Sequence, residues 1–384
     1  MRSKFRPGIV LGLFWLAPWA NAQTIIPHPH PGPRYVVIST RRLWTLKTEL
    51  TLTVMKGYQV IAVAPNSGTI LSAGQTVLLE RLPEEAPTPE YRLADDEGAS
   101  LDSQLNSGAL AGFRLVPNSA FHRITHDFWG DIFASAIFGE KHVNHQRFDK
   151  THSYVLMEKR ADALVTCRYH LTTLSEPQKH QLYASGLGEG YHIVGDLGAG
   201  VIMERCTAAT AGENIPLPEN AGPMATDHFR VFVLGHREKD RKQLNNTLSH
   251  GYRVLEANGP ILTLEKATMP APQREHKFHF AKNSAALEKQ LNSDPAFRFV
   301  SVSMVEVSGF WGSRQMLAVM EKTGEALLRY EYRTVDDTTD TGLQDKINEA
   351  AKQGYEARGL ARCAGKLCAI LERPAAPKPP VLPK

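Results

Sequence analysis

The chain has 384 residues, with 44 Lys and Arg against 40 Asp and Glu. Three of those basic residues lie in the first 22, so the remainder is close to neutral at 41 basic against 40 acidic. That balance gives no basis for a nucleic-acid partner or for electrostatic docking on a membrane, and the length allows two or more domains.

In chain order, residues 1–22 read as a secretory signal. Arg2, Lys4 and Arg6 precede the apolar run Ile9 to Leu16, and Ala20-Asn21-Ala22 supplies small residues for cleavage before Gln23. The run is too short to span a bilayer. No later stretch is apolar for long enough to be a transmembrane helix, so the expected location is the periplasm or the cell exterior.

Two markers then recur in strict alternation. The first is a Gly-aromatic step: Gly57-Tyr58, Gly112-Phe113, Gly190-Tyr191, Gly251-Tyr252 and Gly354-Tyr355, with Ala296-Phe297 as a degenerate copy. The second is an apolar-Glu-basic terminus: Leu79-Glu80-Arg81, Met157-Glu158-Lys159, Met203-Glu204-Arg205, Leu264-Glu265-Lys266, Met320-Glu321-Lys322 and Leu371-Glu372-Arg373. Such periodicity means repeated units.

The last unit is the clearest. Leu343, Ile347, Ala350 and Ala351 fall on one face of a helix, Thr341 and Gln344 have capping-box spacing, and Gly354 suits the left-handed residue that ends it. Leu105-Asn106, Leu244-Asn245 and Ile347-Asn348 each lie the same distance before their glycine, whereas the first unit offers Leu46, Leu50 and Val54. After each glycine an alternating strand begins, followed by a turn and a second strand, and a further strand precedes each helix.

The predicted class is therefore α+β: six β-α-β-β modules, largely antiparallel, with helices on one sheet face. Their bounds are 34–82, 90–160 with an insert at about 120–151, 163–206, 228–267, 275–323 and 327–374. Residues 207–227 form a linker and 375–384 a Pro-rich tail. Phe-Trp-Gly in modules two and five, cysteines in modules three and six, and Pro-rich joints after modules one and four suggest a duplication, with halves at about 34–206 and 228–374. Modules of about 50 residues need neighbours to complete a core.

The helix-to-strand step in LNNTLSHGYRVLEA and INEAAKQGYEARGL resembles a small bacterial β-α-β-β domain of unknown function. That family's signature runs Leu-Asn, a few residues, then Gly-Trp-Glu-Leu-Val, and tandem copies occur in exported proteins. Here Tyr or Phe stands where that family has Trp. The resemblance implies the fold and carries no activity.

Four cysteines in an exported chain predict two local disulfides, Cys167 with Cys206 and Cys363 with Cys368. The segment FWGDIFASAIFG, starting at Phe128, is apolar for a loop. With Phe310-Trp311 it points to binding or scaffolding through aromatic hairpins at Phe128, Trp129, Phe310 and Trp311, with a protein or cell-envelope partner and no catalysis. The insert also holds five of the fifteen histidines. His122 and His126, spaced as on one helix face, with His142 and His145, offer an alternative: a zinc or copper site, against a reading with no cofactor. A further alternative is a hydrolase with a site between modules. No GxSxG or P-loop occurs, and six repetitions of the Glu-basic terminus point to strand pairing, because an active site needs only one.

Overall fold

The computed structural model describes residues 32–40, 43–66, 74–96, 99–126, 149–159, 165–173, 191–197, 200–208, 229–233, 238–258, 261–266, 275–307, 313–322, 329–363 and 365–375. These residues form a mixed α+β structure. The first sheet holds β1 (Tyr35–Thr40), β2 (Tyr58–Asn66) and β3 (Gly74–Arg81), ordered β1-β3-β2. The second has four strands, with β4 (Tyr91–Asp95), β7 (Asp149–Lys159) and β5 (Phe113–Leu115) in that order and β6 (Phe121–His126) also on β7. The third orders β8 (Val165–Thr173), β10 (Gly200–Ala208) and β9 (His192–Asp196).

The later sheets repeat the scheme. The fourth is β11 (Phe229–Val233), β13 (Ile261–Lys266), β12 (Tyr252–Asn258); the fifth is β14 (Glu275–Ala281), β16 (Ser313–Lys322), β15 (Arg298–Val307). The sixth is β17 (Tyr330–Asp337), β19 (Lys366–Pro374), β18 (Glu356–Cys363). All pairings are antiparallel, and the strand that carries the Glu-basic terminus is central each time. Between first and second strands run the helices α1 (Leu43–Met55), α2 (Leu101–Leu110), α3 (Glu238–Ser249), α4 (Ser284–Ser293) and α5 (Asp340–Lys352). The connection from β8 to β9 lies outside the described residues, as do residues 1–31.

Gly57, Gly112, Gly251 and Gly354 have φ between 85° and 87°. Those left-handed residues end four of the helices, as the Gly-aromatic step implies. The helix start is different from the expectation. Thr339, not Thr341, caps α5 by accepting from Gly342 N at 3.1 Å, and Gln344 is used elsewhere. A bulge falls three residues after the aromatic in five sheets, at Ile61, Val194, Leu255, Val300 and Arg358. It bends the second strand at a fixed place.

The core lies between sheets. Val77 and Leu79 on β3 join Leu46, Leu50 and Val54 of α1 and Leu156 of the second sheet, whereas Leu78 turns to Leu343, Ile347 and Leu371 of the sixth. Likewise Met316, Ala318 and Met320 face the sixth sheet while Leu317 and Val319 face the fourth. Alternate residues of a strand point to opposite faces, so a strand covered on both sides reads as an unbroken apolar run. Each such Leu, fully buried, stabilises by about 2 kcal/mol.

The second and third sheets share a cluster around Leu105, Met157, Tyr169 and Ile202. The third and fourth meet where Thr263 Oγ1 donates to Ile193 O at 3.1 Å. Every sheet thus touches the next, and the sixth touches the first. The circuit is closed, and the two sequence halves share a core at Leu78 and Leu371.

Both predicted disulfides are formed. Cys167 and Cys206 sit opposite each other on β8 and β10, and Cys363–Cys368 closes the hairpin of β18 and β19. No described helix is long and apolar enough to cross a membrane.

Candidate binding site

The two sequence markers are halves of one contact. The basic residue of the terminus lies over the aromatic of the step: Arg81 over Tyr58 at 5.6 Å, Lys159 over Phe113 at 5.9 Å, Arg205 over Tyr191 at 5.0 Å, Lys322 over Phe297 at 5.8 Å and Arg373 over Tyr355 at 4.4 Å. A cation held there is attracted by the ring face. The Glu of the terminus faces one fixed position of the first strand, occupied by Tyr35, Tyr91, Tyr169, Phe229, His276 and Tyr332 in turn.

Where that position is Tyr, its hydroxyl bridges two sheets. Tyr35 donates to Glu80 at 3.0 Å and accepts from Ala357 N of the sixth sheet at 3.2 Å. Tyr91 donates to Glu158 at 2.8 Å and accepts from Val60 N of the first at 2.8 Å. Tyr169 does the same with Glu204 and Leu115 N, at 2.6 and 2.9 Å. Burial pushes Tyr35 up to about 12, and the Glu80 charge adds to it. Burial likewise raises Tyr91 and Tyr169, their glutamates adding to it.

Helix side chains complete three of these joints. Asn348 accepts from Tyr35 N and donates to Tyr35 O, both at 2.9 Å, and Gln344 accepts from Val37 N at 3.1 Å. Asn106 holds Tyr169 at 2.9 Å in both directions, and Asp102 accepts from Leu171 N at 3.0 Å. Asn292 holds Tyr332 at 2.9 and 2.8 Å, and Glu288 accepts from Thr334 N at 2.7 Å. A carboxamide and a second acceptor four residues earlier satisfy an edge strand that would otherwise present unpaired backbone.

The joint between the first and second sheets has a different helix face. Ten and six residues before Gly57, where α5 has Gln344 and Asn348 before Gly354, α1 carries Lys47 and Thr51. Thr51 donates to its own helix at Lys47 O, 2.7 Å away. A groove of about 600 Å³ opens there between α1 and β4, lined by Lys47, Thr51, Val54, Met55, Tyr91 and Leu93 among others. Its size is that of small-ligand sites.

The chain matches no protein-family model and no curated protein.

The residues singled out in the sequence fall elsewhere. Phe128, Trp129, Phe310, Trp311, His142 and His145 lie outside the described residues. His122 and His126 are on strand β6, opposite Ser153 and Asp149, and not on a helix. Two described groups have metal-ligand spacing, Cys167–Glu204–Cys206 and Asp336–Cys363–Cys368. In both, the sulfurs are bonded to each other, which removes the thiolates a metal requires. Sequence reasoning missed Lys47, Thr51, Tyr91 and Leu93. The signal was the absence of the helix Asn from the first unit.

Proposed function

We propose that the chain is an exported, non-catalytic ring of six β-α-β-β modules. It binds or scaffolds a protein or cell-envelope partner through aromatic hairpins at Phe128-Trp129 and Phe310-Trp311. The observation that carries this reading is positional. Both aromatic segments interrupt the link between the second-strand region and the central strand, in the second and fifth sheets of a closed circuit of six. Those sheets are three steps apart in the circuit, so the two segments belong to equivalent places in its two halves. An apolar aromatic pair repeated in both halves suits a partner that is held at two equivalent contacts.

The polar chemistry supports the same conclusion. Its carboxylates are engaged in joints that recur around the circuit, as Glu80, Glu158 and Glu204 are by tyrosine. Two disulfides fit an oxidising compartment. The single-tryptophan tests are direct. Replacing Trp129 or Trp311 by Ala should leave the melting temperature within a few degrees, and a photo-crosslinker at either position should capture the same partner in the cell envelope. Strong destabilisation by both changes would instead make the aromatics internal packing, and different proteins captured at the two positions would overturn the shared partner.

A further inference from the structure

The groove between α1 and β4 lies at a joint where the outward backbone groups of the strand at Tyr91 and Leu93 have no described side chain on them. Lys159 N donates to Glu90 O at 2.8 Å and Tyr91 faces Glu158. In an antiparallel ladder this alternation turns the N–H and C=O of Tyr91 and Leu93 away from β7, toward the groove. In three other joints the equivalent N–H pairs are taken by an Asn and by Gln344, Asp102 or Glu288. Among the described residues no side chain takes those of Tyr91 and Leu93. The helix offers Lys47 where the others offer an acceptor, and no described carboxylate pairs with it.

The groove therefore presents the N–H and C=O groups of Tyr91 and Leu93 on one wall and the Lys47 ammonium on the other, with Glu90 and Asp95 also in its lining. A peptide backbone, with donors and acceptors in alternation, satisfies the strand, and a negative end satisfies the ammonium. The walls between them are apolar, formed by Leu50, Val54, Met55 and Phe113, and Met55 is left 66% exposed. One end is closed, because the Gln104 carboxamide already takes both the N–H of Asp95, at 3.3 Å, and its C=O. An added strand can bond at Tyr91 and Leu93 but not past them.

We infer that this groove binds the C-terminal end of an extended peptide. Its carbonyl accepts from Tyr91 N–H, its terminal carboxylate lies between Leu93 N–H and the Lys47 ammonium, and an apolar last side chain sits against Val54 and Phe113. The peptide adds to β4 as an edge strand, the mode in which main-chain bonds supply affinity and pockets supply specificity. The chain end is required where Gln104 blocks the next pair, and it brings the negative charge that Lys47 matches.

The test uses the mature chain and the peptide acetyl-Val-Ser-Val-Leu, with a free carboxylate or a terminal carboxamide. Titration calorimetry should show the free acid binding at least about tenfold more tightly than the amide, the equivalent of one ordinary charge-assisted bond. The amide resonances of Tyr91 and Leu93 should move most in a nitrogen–proton spectrum. The double change Lys47→Gln with Thr51→Asn installs the pair found in α5, so it should abolish binding while raising the melting temperature. Lys47→Met should lose the preference for the acid alone. Equal binding of both peptides, no binding of either to the folded chain, or shifts confined to residues outside the groove would overturn the inference. So would undiminished binding by a folded double variant.

Discussion

At the scale of the residue, the tyrosines opposite the Glu-basic termini are the most constrained groups. Each hydroxyl donates one bond and accepts another from a neighbouring sheet, Tyr35, Tyr91 and Tyr169 donating to the Glu of their own sheet and Tyr332 to Phe297 O, so it holds only while protonated. Tyr35 is raised from an ordinary 10.0 to about 12 by burial, helped by Glu80, and Tyr332 is raised by burial and by Glu372. A group whose folded pKa is raised contributes stability that is complete below the unfolded value and is lost as pH climbs toward the folded one. Melting temperature should therefore hold up to about pH 10 and fall steeply between about 10 and 12. Tyr35→Phe should melt lower at neutral pH and show a shallower alkaline decline. Identical slopes for the two proteins, measured from pH 8 to 12, would refute the assignment.

At the scale of the element, the Asn on each helix matters more than the propensity of the helix. Asn348 and Asn106 each satisfy both backbone groups of a tyrosine in the next sheet. Replacing either by Ala leaves an N–H and a C=O unmet in a half-buried joint, a cost of about 1–3 kcal/mol. Denaturant melts should show comparable losses for the two variants although they sit on opposite sides of the chain order. A loss at one position alone would mean that the joints are not equivalent. Much of each element was legible in the sequence. Glycine before an aromatic needs a left-handed residue, and an apolar run before Glu needs burial on two faces, and both are local requirements. The Glu–Tyr bridge between Glu80 and Tyr35 was not legible, because it joins residues 45 apart. Nor was the clamp on Tyr35 by Asn348, 313 residues away. The Thr341–Gln344 spacing misled for the same reason: Gln344 serves Val37 in another sheet instead of its own helix end. His122 and His126 have spacing that suits a helix, but β6 pairs with β7 there.

At the scale of the molecule, the joint between the sixth sheet and the first matters most. An open stack of repeats has two ends that need polar caps, and this circuit has none. Both extremities of the described chain meet the same short segment: Tyr35 accepts from Ala357 N at 3.2 Å, and Arg373 lies 4.4 Å over Tyr355. Among the described residues, which sheet comes first in the chain is thus a matter of covalent connectivity and not of the packing. A circularly permuted protein, with residue 375 linked to residue 34 by a short Gly-Ser segment and new ends placed within 209–228, should fold with both disulfides intact. It should also melt within a few degrees of the parent, since every joint survives. Two separate melting transitions in the permutant would show that the halves fold independently and that the seam between Leu78 and Leu371 contributes little. With one transition, the order of the genes' codons could be rotated sheet by sheet without the molecule registering the change.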